Sequence, residues 1–151
     1  MKLAEALILR ADAQKRLQQL RERLIRAAKV QEGEQPPENP QELLAELDRV
    51  LSEFNRLVKS INRTNASTPF DEGRTLTDAL ADRDTLALER HAIQGVIDTA
   101  ASQQFRYGRS EIRFVSTVDV AALQKRSDDL ARRYRELDAA LQALNWTVEM
   151  E

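Results

Sequence analysis

Apolar residues recur at alternating steps of three and four in four separate stretches of this chain. The first runs from about Leu3 to Lys29, with seam positions 3, 6, 10, 13, 17, 20, 24 and 27. The second carries Leu43, Leu47, Val50, Phe54, Leu57 and Ile61. The third carries Leu76, Leu80, Leu86, Ile93, Val96, Ile97 and Ala100, and the fourth Val120, Leu123, Ser127, Leu130, Tyr134, Leu137, Leu141 and Leu144. Residues at that spacing share one face of an α-helix, and each helix must bury the stripe against a partner. The pattern predicts a mainly α fold: an antiparallel bundle of four long helices, in one domain over residues 1–151. The alternation persists for several heptads, so it predicts coiled-coil-like packing and leaves room for a second apolar face used in self-association.

Helix starts are legible. Asn39-Pro40-Gln41-Glu42 combines an N-cap, a proline at the first helical position and an acid two residues on. Helix 3 is expected to start at Thr75 or Thr77, and helix 4 near Asp119. Between the helices lie three long connectors: residues 30–40, the stretch around INRTNASTPFDEGRT, and residues 103–118. The third connector has β-rich Ile112, Phe114, Val115 and Val118, and the tail from Trp146 to Met150 alternates. A small β element is expected from residues 105–118 and the C-terminal tail.

Composition narrows the partners. A net charge of −2 supplies no field toward nucleic acid or an anionic membrane. The chain has no cysteine, which excludes disulfides, thiolate metal sites and Cys nucleophiles. Glu5, Arg10 and Asp12 interrupt the apolar start, so no secretion signal is read there, and no stretch reaches the ~20 apolar residues of a membrane span. A cytoplasmic location follows as the expectation. The three Asn-x-Ser/Thr triplets at Asn62, Asn65 and Asn145 are then coincidental as glycan acceptors.

Arg10 occupies a seam position between Ala6 and Ala13. It either faces a carboxylate or snorkels to solvent. Asp78 and Asp82 lie four apart at the start of helix 3, where acids suit the helix dipole and where two carboxylates a turn apart also suit a divalent cation. Asp84 shares a face with Leu80. Glu32 and Glu34 flank Gly33 before two prolines. The expected metal set is Glu32, Glu34, Asp78 and Asp84; Mn, Mg, Fe and Zn are not distinguished. The expected polar cluster is Arg10, Asp12, Asn62, Asn65, Arg83, Arg109 and Glu111, with Asn62 and Asn65 at least partly buried. Asn65 is a candidate for a left-handed helix end. His91 is the only histidine, which excludes zinc-finger spacing. It reads best as a surface residue. Neither a Walker loop, a GxGxxG turn nor a nucleophile elbow is present.

Several segments together resemble a small bacterial helical family of unassigned activity often labelled septicolysin: MKLAEAL with Arg10-Ala11-Asp12, VQEGE at 30–34, INRTN at 61–65, TLTDALADRD at 75–84, RSEI at 109–112, TVDV at 117–120 and NW at 145–146. The resemblance implies a helical, ring-like homo-oligomer with a capacity for metal. The cytolysin sense of the label conflicts with this sequence, which lacks the long amphipathic strands of a β-barrel pore. Three functions stay open: a homo-oligomeric helical protein with a divalent-metal site at loop and helix-end carboxylates, a structural or adaptor bundle, and a metal-dependent hydrolase of a phosphorylated or nucleotide substrate.

Overall fold

The computed structural model describes residues 1–102 and 112–150. Four helices account for most of them: α1 (Leu3–Ala27), α2 (Pro40–Ser67), α3 (Leu76–Ala101) and α4 (Val120–Asn145). No helix among the described residues is long and apolar enough to cross a membrane. The chain divides into two compact units. One runs from Met1 to Thr75 and includes the chain's last residues from Gln142; the other is Leu76–Leu141.

In the first unit α1 and α2 pack antiparallel. Ala13, Leu20 and Ala27 of α1 meet Leu43 and Val50 of α2, with Leu17, Leu24, Leu47 and Phe54 partly buried around them. These are the seam residues, and alanines at 13 and 27 let the two backbones approach. The α2 start is built as read: Asn39 accepts the Gln41 N–H at 2.9 Å, with Pro40 at the first helical position. Arg23 of α1 forms a fork with the Glu38 carboxylate, which fixes the entry to α2. Gly33 turns the preceding loop with φ +86°, a conformation open to glycine, and Glu34 N–H donates to the Gln31 carbonyl.

The end of α2 differs from its expected cap. The helix continues through Ser67, and no non-glycine residue has positive φ among the described residues, so Asn65 stays helical. The turn that follows is closed instead by Asp71. Its Oδ1 accepts the Gly73 N–H, and its Oδ2 receives the Arg74 guanidinium at 2.7 Å. Arg74 also lies 5.0 Å from the centre of the Phe70 ring. Pro69 and Thr75 form an isolated antiparallel bridge across this turn.

The β element also differs from expectation. The tail pairs with the chain's own start: Lys2 and Glu149 form an antiparallel bridge, Leu3 N–H donates to the Val148 carbonyl, and Met150 N–H donates to the Met1 carbonyl. The first of these bonds satisfies an orphan donor of the α1 N-terminus. Residues 112–118 form no strand. Residues 105–111 of the expected element lie outside the described residues.

In the second unit α3 and α4 also run antiparallel, cross-linked by polar pairs. Arg83 bonds Asp138 at 3.0 Å, Arg126 bonds Glu89, and the Ser127 hydroxyl donates to the Gln94 side-chain carbonyl. Asp119 caps α4 by accepting the Ala122 N–H. Leu76, Ala79, Ile97, Ser127, Leu130 and Leu141 are buried. Val96, read as part of the α3 seam, is exposed. The inward position of that turn falls to Ile97, and Val96 lies about 100° round the helix from it.

Candidate functional site

The structure places the expected site residues on separate local features. Glu32 and Glu34 are exposed in the Gly33 turn. The arginine partner at this corner is Glu38, which sequence reading did not single out; its carboxyl is held below the usual range by the Arg23 hydrogen bonds. Asp78 and Asp84 are exposed on α3, and Asp84 accepts both Nε and a terminal nitrogen of Arg83 at 3.1 Å. Among the described residues no three His, Asp or Glu groups converge as a divalent cation requires.

Arg10 is half-buried and Asp12 exposed; among the described residues neither makes an ion pair. Asn65 is half-buried as expected, whereas Asn62 is exposed, which corrects its expected burial. The reason is register: Ile61 and Thr64 take the inward positions of the last α2 turns, and Asn62 follows Ile61 by about 100° around the helix. Arg109 and Glu111 lie outside the described residues.

Arg83, of the predicted set, joins α3 to α4. Its side chain is largely covered and bridges Asp84 on its own helix to Asp138 on α4. Burial works against its charge, but the two carboxylates outweigh it and raise its pKa.

Three surface features accompany these residues. On α2, Leu44 and Leu51 are each 44% exposed, and the half-buried Val58 continues the series at the same seven-residue step. They lie immediately beside the packed row Leu43, Val50 and Leu57. At the C-terminal end of α3, Val96, Thr99 and Ala100 face residues 114–118 across an open groove in which Phe114 is 70% exposed. Midway along the α3–α4 pair, an open groove of about 560 Å³ is lined by Ala87, Arg90, His91, Gln94, Ala131, Tyr134 and Arg135.

The comparisons with known proteins place the chain without assigning it an activity. The profile of a family of unknown function, DUF6847, matches residues 10–150. The chain belongs to that family. It is also similar, at 48% identity, to a solved structure described as a functionally unknown conserved protein from Corynebacterium diphtheriae. That match covers 100% of this chain and 99% of the other, with a TM-score of 0.94. No curated protein matches. The family description replaces the septicolysin label, which neither match supports.

Proposed function

We propose that this DUF6847 protein works as a homo-oligomer assembled through α2. The observation that carries the reading is the second apolar row on that helix. Leu43, Val50 and Leu57 are spent on intramolecular burial, yet Leu44, Leu51 and Val58 repeat the same heptad one position on. A solvent-facing helix side has no need of a branched aliphatic residue at each heptad, whereas a helix contacting two partners does.

A second copy of the chain is the occupant that the charges favour. Glu42, Glu46 and Asp48 sit in the first half of α2, and Arg56, Lys59 and Arg63 in the last. Two α2 helices related by a two-fold axis run antiparallel, so each acidic half lies beside a basic half. Placing the axis at Leu51 sets Leu51 against its own copy and Leu44 against Val58, so the apolar row is self-complementary as well. The polar positions Asp48, Asn55 and Asn62 then border the row, and Asn62 gains a reason for its exposure. The reading includes no metal and no reaction.

Sedimentation equilibrium tests it. Wild-type protein is expected to sediment as a dimer or larger. Leu51→Glu puts two like charges at the axis, a cost of about 3 kcal/mol, which weakens association about 100-fold or more. A wild-type chain that stays monomeric at high concentration, or a Leu51→Glu variant that associates as wild type does, overturns the reading.

A further inference from the structure

The α3–α4 groove carries a separate feature. Its lining brings two guanidinium groups, one imidazole, one carboxamide and one phenol toward a volume of about 560 Å³, with the methyl groups of Ala87 and Ala131 between them. That volume lies within the range of small-ligand clefts, and the pattern of a small apolar floor with a few convergent polar groups is the one such clefts share. No carboxylate is among the lining residues.

The neighbouring acids are already committed. On α3, Asp84 bonds Arg83, Glu89 bonds Arg126, and Asp98 accepts from Gln94. On α4, Asp128 accepts from Gln124, Asp129 and Glu136 both bond Arg132, and Asp138 bonds Arg83. Thus every acid within one helical turn of the lining residues has its own donor. Arg90 and Arg135 make no ion pair among the described residues. Arg90 falls seven residues after Arg83 and seven before the buried Ile97, so it borders the α3–α4 contact. Arg90 is exposed on this heptad row, and its own helix pair leaves it without a carboxylate.

We propose that this groove binds a small ligand through a dianionic oxyanion group of the phosphate-monoester type. Two planar guanidinium forks meet tetrahedral oxyanions in bidentate fashion. His91 and the Tyr134 hydroxyl supply further donors, and the ring of Tyr134 with the two alanine methyl groups offers an apolar surface for the remainder of the ligand. The inference rests on residues of α3 and α4 alone and is independent of assembly through α2.

The single histidine makes the test direct, because the His91 ring gives one unambiguous proton NMR signal. Inorganic phosphate and phenyl phosphate are titrated separately into the protein at fixed pH, each against sodium chloride of equal ionic strength. The expected result is a saturable His91 shift with both phosphates, tighter for phenyl phosphate, and absent with chloride. Arg90→Gln and Arg135→Gln should each weaken binding about tenfold or more. Arg133→Gln, on the same helix but outside the groove, should bind as wild type does. Arg90 and Arg135 are both exposed, so each variant is expected to fold as wild type does. A shift that grows linearly, that chloride reproduces, or that survives both groove substitutions overturns the proposal. Saturable binding that Arg133→Gln weakens equally also overturns it.

Discussion

At the scale of single residues, the polar contacts separate into clasps at turns and chain ends and bridges between helices, among which Arg83–Asp138 is more covered than Arg126–Glu89 or Arg16–Glu53. Glu38, Asp71 and Glu149 are each held below the ordinary carboxylate range: Glu38 by Arg23, Asp71 by Arg74, and Glu149 by Lys2 and the Met1 ammonium. A carboxylate with a lowered folded-state pKa binds protons less readily folded than unfolded. Its stabilisation is therefore present above the unfolded pKa, about 4, and is lost as pH falls through the folded value. The thermal midpoint should fall on acidification below about pH 5, and the fall should be shallower in Glu149→Gln, measured by circular dichroism across pH 5 to 2.5. An equal fall in both would remove the clasp from the acid response. Arg83 differs from the clasps because it is largely covered and joins two helices. Arg83→Ala exposes the Asp138 carboxylate to a lost partner and should cost about 1–2 kcal/mol in chemical denaturation. Arg83→Lys should recover only part of that, since an ammonium lacks the fork that spans Asp84 and Asp138. The Arg83 pairing with Asp84 was half-legible: both residues stand out in TLTDALADRD, but Asp138 is 55 residues away and on another helix. The same limit hid Arg135 as a neighbour of His91. Spacing within a helix shows which residues share its face, but not which turn of the next helix they meet.

At the scale of elements, the helices were the most legible part of the fold. Asn39-Pro40 marks the start of α2 and Asp119 caps α4, because capping is a local arrangement of a few neighbouring residues. Asn39→Ala should destabilise the protein by about 1 kcal/mol. Leu20, 1% exposed in the α1–α2 core, is a harsher test: Leu20→Ala should cost about 2–5 kcal/mol. A Leu20→Ala loss no larger than the Asn39→Ala loss would contradict the packing described for α1 and α2. The tail was less legible. Trp146 and Thr147, read as extended, instead close α4 as a hydrogen-bonded turn; only Val148 to Met150 pair, with Met1 to Leu3 at the opposite end of the sequence, and a single bridge leaves almost no periodicity there to read. Asn65 was read as a helix end because asparagine tolerates the left-handed region. The helix extends past it, since the Asp71 turn and Pro69 supply the stop further on.

At the scale of the whole molecule, the sequence pointed to a family and a helical fold but left the use of the surface open. The candidate site was least legible because its expected acids are individually ordinary. Glu32, Glu34, Asp78 and Asp84 lie on exposed turns and helix surfaces, where acids are common for solubility and dipole reasons. The second apolar row of α2 was visible in principle, since Leu44, Leu51 and Val58 repeat every seven residues. It was masked by the stronger row directly beside it. The central claim is that this row closes a two-fold contact at Leu51. The chain contains no cysteine, so one introduced thiol reports on one position alone. A disulfide forms only when the two Cα atoms can approach to about 4.4–6.8 Å. Leu51→Cys should therefore give a covalent dimer under mild oxidation, far faster than Leu88→Cys, a more exposed leucine on α3. Cross-linking at position 51 no faster than at position 88 would contradict assembly through α2.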